Sequence, residues 1–162
     1  MKTLKRRRRQ CKTDYKKRLN LLKSGRPRIV FRRTNRYFIA QYIKSKEAKD
    51  EVVFGITSKN LIEYGFPEKS SGSLKSIPAS YLTGLLLGRK IIAKKLKIPI
   101  IDFGMLQTLH KTRVFAFLEG LLDAGLKIEC DEKYLPSEDA IKGKHLKNKI
   151  PFEEIKSKIE EK

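Results

Sequence analysis

Tryptophan is absent from this chain of 162 residues, and cysteine and methionine occur only twice each. The two cysteines, Cys11 and Cys130, lie far apart, with no second Cys or His at a spacing typical of a metal site. We therefore expect free thiols in a reducing compartment, with no disulfide framework and no metal centre.

Long apolar runs are also missing. The best of them, Tyr81 to Gly88, is far shorter than the roughly 20 residues that a membrane-spanning helix needs. The amino terminus is basic, but the apolar stretch of a secretory signal does not follow it. These absences predict a soluble protein that stays inside the cell and has no membrane partner.

Acidic residues are scarce at the amino end. Residues 1–36 hold 16 Lys and Arg and one acid, Asp14, which gives +15 of the net charge of +20. The density peaks at Lys5-Arg6-Arg7-Arg8-Arg9. Such a segment repels itself in water and needs a polyanion to neutralise it, and nucleic acid is the natural one.

This basic run has other interpretations, since it could be a nuclear import signal or a solvated charge run. Basic residues continue well past it, at Arg18, Arg26, Arg28, Arg32, Arg33 and Arg36. Neither alternative accounts for them, whereas a binding surface does. We therefore rank nucleic-acid contact first.

The amino-terminal segment contains one predicted helix. Residues 1 to about 13 have no apolar periodicity, so we expect them to be disordered when the chain is alone in solution. Asp14 is the predicted N-cap of a helix running to Lys23, and Gly25 and Pro27 end it.

Three β-forming runs follow, Arg28 to Thr34, Tyr37 to Lys44 and Glu51 to Thr57, and they predict an antiparallel meander. Asn35-Arg36 is the first turn, and a polar loop from Ser45 to Asp50 is the second connection.

The rest of the chain alternates between predicted helices and strands. A short helix from Ser58 to Tyr64 and a loop from Glu68 to Ser76 precede the longest helix, about Ala79 to Leu96. We expect its Gly84 and Gly88 to let it lie close to the sheet or to RNA.

The nearly continuous apolar run from Ile98 to Phe103 predicts a strand covered on both faces. A second long helix (Arg113 to Ala124), a short strand (126–128) and a small helix from Pro151 complete the chain.

A meander followed by helix, strand and helix predicts an α/β sandwich with a mixed sheet, in which the fourth strand pairs parallel with an earlier one through a right-handed crossover. We expect three parts: a basic arm with its short helix over 1–24, an α/β core domain over 25–130, and a C-terminal helical extension over 131–162.

Catalytic motifs are hard to find. Asp102 ends a predicted strand, where functional carboxylates often lie, but a lone acid cannot hold a two-metal centre. Glu119 and Asp123 share a helix face, which is more typical of an ion pair or a solvated surface. No Gly-Lys-Ser phosphate loop occurs. The sequence thus predicts no enzyme, no cofactor and no small-molecule substrate.

The first hairpin concentrates RNA-binding chemistry. Arg32-Arg33-Thr34-Asn35-Arg36-Tyr37 surrounds one turn with guanidinium groups, an amide and an aromatic ring. Arg can stack on bases and hold phosphates with paired hydrogen bonds, and Tyr can stack. The alternative is a face that merely keeps charge outward, but continuity with the basic arm favours binding.

A second basic group lies outside the hairpin. The position of His110 beside Lys111 and Arg113 favours contact of this loop with phosphate.

Several segments occur in the order found in one protein family: Thr13–Leu19 after the Arg run, Gly25–Arg36 running into Ile39-Ala40-Gln41, Ala79–Leu86, Ile101–Gly104, and Arg113–Ala116 with Leu122–Leu126. In them the chain resembles the universal L-eighteen family of large-subunit ribosomal proteins, in its archaeal form, which corresponds to the eukaryotic L-five type. The resemblance covers about residues 5 to 146.

The resemblance implies that the protein binds 5S rRNA and attaches it to large-subunit rRNA in the central protuberance of the cytoplasmic ribosome, next to other ribosomal proteins. It also implies the translational-machinery α/β architecture, related to ribonuclease H but without its acidic cluster.

The resemblance assigns RNA contact to twelve residues of the arm and first hairpin: Arg6, Arg7, Arg8, Arg9, Lys12, Tyr15, Arg18, Arg28, Arg32, Asn35, Arg36 and Gln41. It assigns the same role to His110, Lys111 and Arg113. The charge pattern and the hairpin add Lys5, Arg26, Arg33 and Tyr37.

Two alternatives stay open at this point: a ribonuclease H-like nuclease on the same architecture, and a general architectural protein that also binds duplex DNA. The sequence does not choose which sheet face meets RNA. Residues 147–162 match no segment of the family, and we do not assign them to RNA.

Overall fold

The structure is a computed structural model that describes residues 3–47, 49–67, 73–146 and 150–161. Its strands are β1 (Arg28–Arg33), β2 (Phe38–Lys46), β3 (Lys49–Thr57) and β4 (Ile100–Asp102). Its α-helices are α1 (Arg6–Arg9), α2 (Tyr15–Lys23), α3 (Ile77–Ala93), α4 (Arg113–Asp123), α5 (Glu138–Ile141) and α6 (Phe152–Glu160). Three short 3-10 helices cover Ser58–Tyr64, Ser73–Lys75 and Glu132–Tyr134.

The four strands form one mixed sheet in the order β3-β2-β1-β4. β2 is antiparallel to both β1 and β3, and β4 is parallel to β1, with Ile101 opposite Ile29. The predicted meander and the parallel fourth strand are therefore confirmed. The α/β class with a mixed sheet is confirmed with them.

The connection between β2 and β3 is shorter than the predicted loop from Ser45 to Asp50. β2 continues to Lys46 and β3 begins at Lys49, so that Ser45 lies opposite Asp50 in the sheet. The Ser45 hydroxyl donates to Asp50 Oδ1 at 2.7 Å. Polar residues extend the hairpin here because their side chains pair with each other rather than with water.

The predicted strand at 126–128 is wrong. Gly125 takes φ +99° after α4, and Leu126 N donates back to the carbonyl of Leu121 at 3.2 Å. This is a helix C-cap closed by a left-handed glycine, and the buried Leu126 side chain completes it. An apolar residue that seals a helix end thus resembles a strand residue in sequence.

The core lies between one sheet face and the helices α3 and α4. The Phe31 ring of β1 stacks on Phe117 of α4 with centroids 4.3 Å apart. α3 is buried at every position from Pro78 to Gly88, which is why it shows no clean apolar stripe. The helix, predicted to reach Leu96, ends at Ala93 beyond this buried stretch, where Ala93 is exposed and Leu96 is half-buried.

The glycines of α3 face α4, and not the sheet or RNA as expected. A Cβ on Gly84 would lie 2.3 Å from the Phe117 carbonyl oxygen, and Gly88 also faces α4. Gly120 of α4 faces α3 in the same way, since a Cβ on it would lie 2.1 Å from the carbonyl oxygen of Tyr81. The two helix backbones can approach this closely only because these positions have no side chain.

The prediction that residues 98 to 103 form a strand buried on both faces is wrong in part. β4 has three residues at the edge of the sheet, where Ile100 and Ile101 are half-buried. Ile98 is 44% exposed. The helix layer covers one sheet face only, so continuous apolarity here does not mean two-sided burial.

The amino-terminal helix α2 follows the sequence closely. Asp14 Oδ1 accepts from the backbone N–H groups of Lys16 and Lys17 at 3.0 and 3.1 Å, and Gly25 takes φ +62° after the helix. No residue of α2 is buried. The helix therefore contributes half-buried side chains, among them Leu21 and Leu22, rather than a buried apolar stripe.

The predicted loop from Glu68 to Ser76 and the tail from Lys147 lie partly outside the described residues. Within the described part of the chain, no helix is both long and apolar enough to cross a membrane. Cys11 and Cys130 form no disulfide.

The C-terminal helix α6 joins the core formed by the sheet, α3 and α4. It packs Phe152, Ile155 and Ile159 into that core.

Candidate nucleic-acid interface

The two sheet faces differ in what covers them. Ile29, Phe31, Phe38, Ala40 and Tyr42 face the helices and are fully or almost fully buried. Successive strand residues point to opposite faces. The alternate residues therefore form an outer face. On it Arg28 and Ile43 are buried, whereas Val30, Arg32, Ile39, Gln41 and Gly55 are half-buried or exposed.

An ion-pair network runs from α2 to the far edge of the sheet on the outer-face side. Arg18 Nη2 donates to Asp50 Oδ2 at 2.8 Å, and Arg28 Nη2 donates to Asp50 Oδ1 at 2.7 Å. Arg28 Nη1 reaches Asp102 Oδ2 at 3.2 Å, and Arg32 Nη2 reaches the same oxygen at 3.4 Å. Arginine and aspartate therefore alternate through these five residues, which we call the Arg–Asp network.

Arg28 is the interior member of the network. Its side chain is 1% exposed, and Nη2 also donates to Ser45 Oγ at 3.0 Å. A charge at this depth is tolerated only when carboxylates compensate it. The expected contact of Arg28 with RNA does not fit this burial, so we no longer place Arg28 among the proposed contacts. It holds Asp50 and Asp102 together instead.

Arg32 is oriented but still accessible. Its Nη1 donates to the carbonyl oxygens of Phe31 and Asp102, both at 2.8 Å, while the side chain is 41% exposed. Its guanidinium lies against Gly104, where a Cβ would fall 2.8 Å from Arg32 Cζ. Lys17 Nζ donates to the Gly104 carbonyl at 3.4 Å. α2, β1 and the end of β4 therefore meet at Arg32.

The carboxyl of Asp50 is held in its charged form. Partial burial acts to raise its pKa, but the hydrogen bonds from Ser45 and Arg18 and the charges of Arg28 and Arg18 outweigh burial and lower the pKa below its ordinary value. Asp50 is therefore ionised throughout the physiological range, and its charge is compensated within the network.

The turn between β1 and β2 presents Arg33, Asn35 and Arg36 to solvent. Thr34 builds the turn, since its Oγ1 donates to the Tyr37 carbonyl at 2.7 Å and accepts from Tyr37 N at 3.0 Å. The half-buried Tyr37 ring lies under Lys59 Nζ at 4.7 Å. A short, ordered turn thus displays three polar side chains next to an aromatic ring.

The arm residues Lys5, Arg6, Arg7, Arg8, Arg9 and Lys12 are exposed, as is Arg26. Lys5 Nζ lies 4.8 Å from the Tyr15 ring centroid, and Arg7 Nε donates to Thr13 Oγ1 at 2.9 Å. These contacts fold the arm locally and leave most of its guanidinium groups open to a ligand.

His110 lies in a separate aromatic cluster. Its ring centroid is 4.1 Å from that of Tyr134 and 5.8 Å from that of Phe115. Lys111 takes φ +56° and donates its N–H to the Tyr134 carbonyl at 2.8 Å. Arg113, half-buried, begins α4. Tyr134 therefore anchors His110 and Lys111, two of the three predicted residues of this loop.

Four residues that shape this surface were not predicted from the sequence: Ser45, Asp50, Lys17 and Tyr134. The sequence places Asp50 in a loop, because an acid between Lys49 and Glu51 in a polar run resembles solvated surface. A signal existed, since Ser45 and Asp50 can lie opposite each other if the hairpin is extended by one pair. Tyr134 had no local signal for this role, because its partners His110, Lys111 and Phe115 lie 19 to 24 residues earlier in the chain.

The described residues contain no group of three or more His, Cys, Asp or Glu that could hold a metal ion. What they do contain is a one-sided α/β core with an open outer face, arginines fixed by carboxylates, and a basic arm. This combination defines a class of protein, a scaffold that binds an extended polyanion.

Comparison with known proteins identifies the family within that class. Residues 1–99 match the family model described as ribosomal large subunit proteins 60S L5 and 50S L18. The chain is 45% identical to large ribosomal subunit protein uL18 of Korarchaeum cryptofilum over 141 residues. The aligned region covers 87% of this chain and 70% of that protein.

Two further archaeal relatives carry the same name. The protein of Caldivirga maquilingensis is 40% identical over 142 residues (87% of this chain, 67% of that protein). The protein of Methanoculleus marisnigri is 40% identical over 146 residues (90% and 81%). The chain belongs to this family of ribosomal large-subunit proteins, in its archaeal type, and is thus a structural component of the ribosome. The family resemblance found in the sequence is confirmed.

Proposed function

We propose that this protein binds 5S rRNA and attaches it to large-subunit rRNA in the central protuberance, with no enzymatic activity and no cofactor. The observation that carries the proposal is the Arg–Asp network on the outer-face side of the sheet, continuous with a basic arm. Family membership supports the ribosomal setting, and the geometry supports the outer face and the arm as the RNA-binding surface.

The outer face fixes the RNA in register. Arg18 and Arg32 lie at the two ends of the network with part of each guanidinium free. Two such groups can each take a phosphate or stack on an exposed base. Gln41 lies in β2 on the same face. Arg33, Asn35 and Arg36 extend the contact around the turn. The sheet supplies orientation because its backbone is rigid.

The arm supplies charge. Lys5 to Arg9 and Lys12 would neutralise phosphates after the core has docked, releasing counterions. Fixing the arm on RNA costs up to about 1–2 kcal/mol per residue in backbone entropy, less where α1 is already helical, and the phosphate contacts must exceed that cost. We therefore propose that the arm adds affinity and that the folded face adds specificity.

We further propose the division into an arm over 1–24, a core domain over 25–130 and a C-terminal extension over 131–162, and an architecture related to ribonuclease H. Among the described residues, the extension adds four buried side chains to the same core cluster as the α/β domain: Ile141, Phe152, Ile155 and Ile159. This supports an extension that completes the core rather than a second domain.

The test is direct binding to transcribed 5S rRNA at about 0.15 M salt, competed with a random DNA duplex of similar length. We expect the duplex to compete only weakly. Equal competition would instead support the general architectural protein. Fractionation of cell lysate gives a second readout, since the protein should sediment with large subunits.

The nuclease alternative has one candidate carboxylate, Asp102. Its Oδ2 accepts from Arg28 and Arg32, and its Oδ1 accepts from Gly104 N at 2.7 Å. A carboxylate fully engaged in this way is not open to a metal ion. We expect no Mg²⁺-dependent cleavage of labelled RNA during prolonged incubation, and cleavage that Asp102→Asn abolishes would reverse this assignment.

A further inference from the structure

Asp50 and Asp102 are two acids in the most basic region of the molecule. By charge alone they oppose RNA binding. We propose that both are positioning residues for RNA, with Asp50 the more important, because they hold Arg18 and Arg32 in the orientation that meets phosphates. This inference rests on the proposed RNA-binding function and adds a role for acids within it.

Both oxygens of Asp50 are used. Oδ2 accepts from Arg18, and Oδ1 accepts from Arg28 at 2.7 Å and from the Ser45 hydroxyl at 2.7 Å. The Asp50 side chain is 28% exposed. Asp50 is therefore not a free anion on the surface but the point at which α2, β1 and β2 are tied to β3.

Arg28 transmits this arrangement across the sheet. It lies between Asp50 and Asp102 with a 1% exposed side chain, so it cannot move without leaving a buried charge unpaired. Asp102 then fixes Arg32. Each exposed arginine is thus anchored, through one carboxylate, to the same buried guanidinium.

Anchoring matters because a free arginine loses rotamer entropy when it is fixed by a ligand. A side chain already held in place loses less of that freedom on binding, which is the benefit of preorganisation. The effect extends to the arm. α2 has no buried residue, and Arg18–Asp50 is a main polar link between this helix and the sheet.

Net charge and positioning predict changes of opposite sign in RNA affinity when Asp50 is neutralised. If only net charge matters, neutralising Asp50 removes a repulsive charge and RNA binds more tightly. If Asp50 positions Arg18 and Arg28, neutralising it makes RNA bind more weakly even though the protein becomes more basic. The sign of the change in affinity therefore decides the matter.

The experiment compares Asp50→Asn with Glu51→Gln in the full chain, using 5S rRNA as the probe across a salt series. Glu51 is the next residue of β3, is exposed, and loses the same unit of charge. We expect Asp50→Asn to bind about 5- to 10-fold more weakly than wild type, and Glu51→Gln to bind equally or slightly more tightly. Asp50→Asn binding as tightly as Glu51→Gln would overturn the proposal.

Ser45→Ala provides a variant without a charge change and guards against failure of Asp50→Asn to fold. It removes the hydroxyl that bridges Arg28 and Asp50, and we expect about 2- to 3-fold weaker binding at temperatures where the variant is folded. Unchanged affinity of Ser45→Ala would count against positioning whatever Asp50→Asn does.

A double-mutant comparison identifies the path of the effect. In an Arg18→Ala background, most of the loss caused by Asp50→Asn should disappear, since the group being positioned is gone. A loss that persists in full would show that Asp50 does not act through Arg18. Wild-type protein that fails to bind 5S rRNA would sink the proposed function instead, so the two failures can be told apart.

Discussion

Arg28 and Arg33 show how much the setting of one arginine decides its role. Both belong to β1, but Arg28 is buried between two carboxylates while Arg33 is exposed at the turn. Removing one partner of a buried ion pair leaves the other charges uncompensated, whereas an exposed arginine can be removed with little effect on stability.

We therefore expect Arg28→Ala to lower the free energy of unfolding by about 3–5 kcal/mol, and Arg33→Ala to change it by less than about 0.5 kcal/mol. In RNA binding, Arg33→Ala should reduce the salt slope by about one unit. Urea denaturation measures the change in unfolding free energy, and a salt titration of RNA binding measures the change in slope. Equal loss of stability in the two variants would contradict the assignment of Arg28.

Glu119 is a residue whose burial has a measurable consequence. Burial first, and then the charges of Asp123 and Glu138, raise its pKa from 4.5 to about 7, against the opposing effect of Lys156. Its buried Oε2 finds no hydrogen-bond partner among the described residues. Because the folded-state pKa is the higher one, the native protein keeps this proton after the unfolded chain has lost it.

The unfolding free energy should therefore fall as pH rises between about 4.5 and 7 and then level off. Glu119→Gln should remove this fall and stabilise the protein at pH 8, by about 1 kcal/mol once solvent screening of this half-exposed group is included. Thermal denaturation at pH 5 and pH 8 measures it, with the exposed Glu154→Gln as control. A pH dependence that survives Glu119→Gln would refute the assignment.

Among the elements, the arm and α2 differ from the rest in how they are held. α3 and α4 pack through glycines and buried apolar residues, so their contact is made by backbone proximity. The arm through Arg9 is exposed and α2 has no buried residue. Loss of the arm should therefore leave the core intact while changing the electrostatics of binding.

Deletion of residues 1–12 should leave the unfolding midpoint within about 1 °C but flatten the dependence of log K on log salt for 5S rRNA. Each phosphate contact contributes roughly 0.7 to 0.9 to that slope, and the deleted segment holds seven Lys and Arg. An unchanged slope would show that the arm does not neutralise phosphates.

At the scale of the whole molecule, positive and negative charge are concentrated at opposite ends of the chain. Residues 1–36 contain one of the 18 acids, whereas residues 115–162 contain 11 of them. This asymmetry orients the amino end toward a polyanion. The C-terminal extension instead completes the core, where Ile155 is fully buried.

Ile155→Ala should therefore lower the unfolding free energy by about 2–5 kcal/mol and leave the salt slope of RNA binding unchanged at temperatures where the protein is folded. Denaturation and the same salt titration measure the two effects. Ser157→Ala, on the exposed side of α6, is the control. A reduced slope in Ile155→Ala would mean that the extension also touches RNA.

The family segments, the α2 cap at Asp14 and the meander were readable in advance because local chemistry specifies them. Hairpin extension to Ser45 and Asp50 was not, because the pairing side chains are polar and only their proximity makes them partners. The misassigned strand at 126–128 failed for a related reason, since a buried residue that seals a helix and one that lies in a sheet look alike in sequence.

By itself the amino-acid sequence determined the partner class and most elements, because charge density, caps and turn residues act over a few neighbouring positions. Only the tertiary structure decided which arginines are buried, which sheet face is open and which acids join the basic surface. Those outcomes depend on residues such as Arg28, Asp50 and Asp102, which lie 22 to 74 positions from one another in the chain. Their interaction exists only when the sheet brings them within hydrogen-bonding distance.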